Sequence, residues 1–135
     1  MRRLLKGVMV IATGAVLTTL LALEGGGVVQ VRTVNAQTQQ PRDTRIWFVG
    51  NGAQIVLEAG KPENPWALDV VQRNTLRLSG QGLDGDYRAR IHGADSHLKI
   101  RQLMREKYGW RDAWVSMLFD TSTSRMVTLE PLANA

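Results

Sequence analysis

The sequence predicts an α+β fold: an antiparallel sheet curled into a small barrel with helices at its side, preceded by one transmembrane helix. Three observations carry that expectation. Short valine- and isoleucine-bearing runs are joined at glycine-rich turns, two helical patterns interrupt them, and a 17-residue uncharged segment, Gly7 to Leu23, precedes them all. With 135 residues the chain can build one modest domain with a real core, giving an apolar helix over 1–24 and a folded domain over 25–135.

The N-terminal segment, GVMVIATGAVLTTLLAL, sits at the lower edge of what crosses a hydrocarbon core of ~30 Å at ~1.5 Å per residue. Arg2, Arg3 and Lys6 precede it. Three readings compete: a cleaved signal peptide, a buried core helix and an uncleaved anchor. No small-x-small triplet closes the run, and the flanking cations favour the membrane over a protein core. The anchor reading makes residues 4–23 a contact with membrane lipid, keeps the cations cytoplasmic and places the domain on the extracytoplasmic side. The Arg2-Arg3 pair also loosely resembles a twin-arginine export signal.

Beyond the triple glycine, GVVQVRT (27–33) reads as a half-buried strand and NAQTQQPRD (35–43) as an exposed connection. TRIWFV (44–49) and AQIVLEA (53–59) form a hairpin about Gly50-Asn51-Gly52. A second hairpin spans Leu76 to Ile91, turning at Leu83-Asp84-Gly85-Asp86. Between them Asn64 can cap a helix with Pro65 in its first turn, an apolar side of Trp66, Val70 and Val71, and an end at Asn74. A second helix runs through HLKIRQLMREKY, with Ile100, Leu103, Met104 and Tyr108 inward and Lys99, Arg101, Arg105 and Glu106 outward. Gly109 breaks it, a short helical segment covers Trp110 to Phe119, and SRMVTL (124–129) is the last strand.

Several chemistries are excluded or left without support. The absence of cysteine removes disulfides, thiolate metal sites and cysteine nucleophiles. From Glu24 onward 14 basic residues stand against 12 acidic ones, a near-neutral body that argues against nucleic acid as partner. His92 and His97 lack metal-ligand spacing, and Asp84 and Asp86 read as turn formers. No phosphate-binding glycine motif and no self-sufficient catalytic set is present, so chemistry would come from a bound cofactor. The stretch EAGKPENPWALDVVQRN (58–74) ends a strand with glycine and lysine and opens a helix. It is either an ordinary turn or a place where an anion could rest.

VRT, PRDTRIWFV, EAGKPENPWALDVVQRN with RL after it, GDYRARI and LMREKYGWRDAW occur in an order that resembles the deazaflavin-dependent nitroreductase/quinone reductase group. These are split-barrel flavoproteins related to pyridoxamine-phosphate oxidase, and the resemblance runs from Gly27 to Leu132, with a GGGVV-like start similar to membrane-anchored members. It implies a split β-barrel holding FMN or a deazaflavin coenzyme, with Thr38, Arg42, Thr44 and Arg45 toward the cofactor phosphate. Ala59, Gly60, Lys61, Pro65 and Trp66 would lie along its rings, and Trp110 and Trp114 on the acceptor side. It further implies a homodimer and hydride transfer to a small-molecule acceptor such as a quinone or nitro compound. The chain departs from the pattern at Asn35 to Gln39, where related proteins carry a basic Gly-Arg-Lys-Ser-Gly-like loop. That departure supports an alternative: a non-catalytic module for a flavin-like or haem-like ligand, or a member without cofactor.

Overall fold

The computed structural model describes residues 1–24, 27–51 and 53–132. Helix α1 (Arg2–Glu24) leads into six strands: β1 (Val28–Val34), β2 (Pro41–Asn51), β3 (Gln54–Ala59), β4 (Thr75–Gly80), β5 (Leu83–Ile91) and β6 (Arg125–Pro131). Helix α2 (Pro65–Gln72) joins β3 to β4, while α3 (His97–Tyr108) and α4 (Trp110–Leu118) join β5 to β6. The strands close an antiparallel barrel in the order β1-β2-β3-β6-β5-β4, with β4 returning to β1. The expected α+β barrel with flanking helices and an N-terminal apolar helix is the architecture observed.

Alternation builds the interior. Val29 and Val31, Ile46 and Phe48, Ile55 and Leu57, and Leu76 and Leu78 all turn inward, as a period of two requires. Helix α2 adds Trp66, Ala67 and Val70 to this core. A second cluster forms outside the barrel, where Ile100, Met104 and Tyr108 of α3 cover Trp47, Val49, Val56 and Met126. The membrane-length segment of α1, Arg2–Leu23, has a mean hydropathy of 1.9 and is exposed over most of its length. Near its end only, Ala22 is buried.

Five local expectations are corrected. Strand β2 continues through Gly50 and Asn51, which pair with Ile55 and Gln54, so these two residues belong to the ladder and not to the turn. Gly50 instead holds φ +106° inside the strand, against the Gln54 carbonyl, where a side chain would collide. Gly52 lies outside the described residues. The second turn is Gln81-Gly82, both at positive φ, and Asp84 and Asp86 belong to β5, where they face Arg77 across the ladder. Asn64 stands at the start of α2 without a side-chain capping bond, and Val71 is exposed. Arg101, expected in solvent, is buried.

Candidate functional site

Segments far apart in sequence meet at one rim of the barrel. Strand β2 contributes Arg42, Thr44 and Arg45, the β3–α2 turn contributes Gly60, and α2 contributes Pro65 and Trp66. With Ile46, Trp47, Glu58 and Asn64 they enclose a cleft of about 620 Å³, a size typical of small-ligand sites. Leu23 from the end of α1 and Val115 from α4 complete its wall.

Each position has a local cause. Pro65 occupies the first turn of α2, where its missing N–H costs nothing, and this directs Trp66 onto the barrel. Three residues on, Asp69 is buried and accepts hydrogen bonds from Thr33 Oγ1 at 2.7 Å and Arg42 Nε at 2.8 Å. This ion pair fixes Arg42 and ties α2 to β1 and β2. Asp43, also on the cleft, takes two bonds from Arg32, which hold its carboxyl below the usual carboxylate range. Glu58 is drawn back by Arg101, which donates to both its oxygens at 2.9 Å while bonding Asp112 at 2.5 Å and Ser116 at 2.8 Å. Burial opposes the charge on Arg101, yet the two carboxylates raise its pKa above the ordinary arginine value.

Of the nine residues expected at a cofactor, the fold brings six together: Arg42, Thr44, Arg45, Gly60, Pro65 and Trp66. Three are placed otherwise. Ala59 is wholly buried in the barrel core beside Arg125 on β6, and Lys61 is exposed in the turn near Asp120. Thr38 lies in the exposed Asn35–Gln40 turn, which Asn35 closes by accepting from the Gln37 and Thr38 amides. Neither tryptophan expected on the acceptor side lines the cleft: Trp110 is exposed at the start of α4, and Trp114 Nε1 donates to Thr19 Oγ1 of α1 at 2.9 Å. His92 and His97 bond Thr128 and Ser124, and no cluster of metal ligands occurs among the described residues.

Sequence reasoning missed Asp69, Glu58, Arg101 and Asp112. Spacing held a signal for one of them, since Arg101 shares the buried stripe of α3 with Met104 and Tyr108 at i, i+3 and i+7.

The lining combines arginines and a threonine of β2 with tryptophan and aliphatic residues, and the Asp43 and Glu58 carboxylates on it are paired with Arg32 and Arg101. No family model matches the chain, and no curated protein matches it. Solved structures do. A heme storage protein from Vibrio cholerae superposes with a TM-score of 0.60 at 18% identity, over 84% of this chain and 87% of that one. A putative pyridoxamine 5'-phosphate oxidase from Listeria innocua gives 0.55 at 14%, over 84% and 90%. The chain has their fold. An F420-H2 dependent reductase shares it as well, with a TM-score of 0.56 at 18% identity over 76% and 93%. At such identities the likeness concerns architecture, and the split barrel is the architecture it names.

Proposed function

We propose that residues 25–135 form an oxidoreductase domain that holds FMN or a deazaflavin coenzyme in the β2–α2 cleft, with residues 1–24 as its membrane anchor. The acceptor class is a quinone, nitro compound or similar small molecule, and the working unit is a homodimer. The observation that carries this reading is the convergence of Arg42, Thr44, Arg45, Gly60, Pro65 and Trp66 on one cleft from separate segments. A bound flavin or deazaflavin supplies the hydride chemistry. The chain's own residues bind and orient. Arg42 offers a guanidinium group suited to phosphate, held in place by Asp69, and Arg45 borders the cleft from the other face of β2. Trp66 and Ile46 provide apolar surface for a ring system, and Arg101 compensates the charge of Glu58. Leu23 gives the cleft an apolar wall from the end of the anchor, which favours an acceptor dissolved in lipid.

The test is titration of the detergent-solubilised full chain with FMN and with the deazaflavin coenzyme in turn, followed by fluorescence. We expect micromolar or tighter saturation by one of them, weakened at least tenfold in Arg42→Ala, and oxidation of the reduced form by a quinone. A second reading, a ligand-holding module without turnover, is favoured by the cation-free Asn35–Gln40 turn. It would be supported by saturable binding of flavin or haem with no acceptor-dependent oxidation, whereas binding of none of these would overturn both readings.

A further inference from the structure

Helix α4 is amphipathic in the reverse sense. Trp110, Ala113, Trp114, Met117 and Leu118 recur at i, i+3, i+4, i+7 and i+8, the spacing of an apolar stripe that a helix on a soluble barrel turns toward the core. Here the polar side faces inward: Asp112 is 2% exposed, and both it and Ser116 bond Arg101. The apolar side faces out, with Trp110 56%, Met117 74% and Leu118 52% exposed. Phe119 continues it, also half exposed. What this surface adjoins is α1, through the bond from Trp114 to Thr19.

The length of α1 sets the depth. Its uncharged run ends at Leu23 and spans only ~26 Å at ~1.5 Å per residue, against a hydrocarbon core of ~30 Å. A spanning α1 therefore has no residues to spare, and the turn bearing Thr19 lies at membrane depth. Trp114, bonded to Thr19, lies there with it. We propose that α4 is a second membrane contact, lying in the lipid–water interface with its tryptophan-bearing stripe in lipid and its Asp112–Ser116 side on the barrel. This rests on α1 being a membrane span. Lipid is the occupant that the adjacency favours, because the stripe continues an apolar helix of membrane-crossing length.

The chain has no cysteine, so single-cysteine variants carry a fluorophore at one place only. Met117→Cys, Ile11→Cys and Gln37→Cys, each in the full chain, are labelled and incorporated into phosphatidylcholine/phosphatidylglycerol vesicles. Quenching is then read with shallow-brominated lipid, deep-brominated lipid and aqueous iodide. We expect the probe at position 117 to be quenched severalfold more by shallow-brominated lipid than the probe at 37, and severalfold less by iodide. The probe at 11 should respond to deep-brominated lipid. If position 117 behaves like 37 while 11 is lipid-quenched, the anchor stands and the interfacial role of α4 is overturned. If 117 is shielded from both lipid and iodide, a second copy covers the stripe and the proposal again fails. Absence of lipid quenching at 11 would remove the anchor reading and this inference with it.

Discussion

Tyr108 shows how one side chain can finish what the backbone leaves open. The β1–β2 ladder ends at the Val28–Trp47 pair, and the next residues, Gly27 and Phe48, have no ladder partner across this seam. The Tyr108 hydroxyl takes that place: it accepts from the Phe48 N–H at 3.0 Å and lies within donating distance of the Gly27 and Phe48 carbonyls, at 2.7 and 2.8 Å. Its ring stacks on Trp47 with centroids 4.1 Å apart. A side chain on Gly27 would meet that ring at 2.9 Å, so the approach depends on glycine at φ +85°. Burial raises the phenol from 10.0 to about 12, against the Phe48 backbone bond, which pulls the other way. Between those values the folded chain keeps a proton that the unfolded chain gives up. Stability therefore falls as pH rises through that window and is unaffected by this group below it. In an ultraviolet phenolate titration one of the two tyrosines should ionise only near the upper limit. Tyr108→Phe should remove that high-pH loss and cost about 1–3 kcal/mol near neutrality, because the Phe48 N–H loses its partner. A slope unchanged in Tyr108→Phe would assign it elsewhere.

Arg101 is the joint at which α3, α4 and β3 are held together. It was expected outside because arginine on a helix usually is, and its partners could not be read from spacing. Glu58 is 43 residues away and Asp112 is 11 away across the Gly109 break. The turns misled for a related reason, since Gly50 and Gly85 resemble turn formers but lie within strands whose ends are fixed by pairing. Patterns governed by neighbours were legible: the alternation of β1 and β3, Pro65 opening α2, and Gly109 ending α3. For the joint itself, Arg101→Met leaves two mostly buried carboxylates unpaired, a loss of about 3–5 kcal/mol. The loss should appear as a lower midpoint in urea unfolding, and an unchanged midpoint would mean that the joint holds nothing together.

At the scale of the molecule, the question is whether α1 is an appendage or a part of the fold. The barrel core contains no residue of α1, which makes the domain self-sufficient in hydrophobic burial. The candidate cleft does not share that independence, because Leu23 forms part of its wall. That closure was invisible in the sequence, where the segment reads as an anchor ending before the domain begins, and local patterning gives no sign that its last turn packs on α4. Among the described residues, two polar contacts join the seam: Trp47 Nε1 donates to the Leu23 carbonyl at 3.1 Å, and Trp114 Nε1 donates to Thr19 Oγ1 at 2.9 Å. At about 0.5–1.5 kcal/mol for each hydrogen bond, removing residues 1–24 should lower domain stability by roughly 1–3 kcal/mol without preventing folding. The same truncation should shift tryptophan emission to the red, as Trp47 and Trp114 exchange protein partners for water, and weaken cleft ligands more than Arg32→Ala does. Equal urea midpoints and unchanged emission in the two chains would mean that the seam holds nothing together and that α1 only tethers. A truncated chain that unfolds outright would instead make the helix part of the core. An intermediate loss of the stated size, with weakened binding, places α1 where the geometry has it: outside the barrel's core and inside its site.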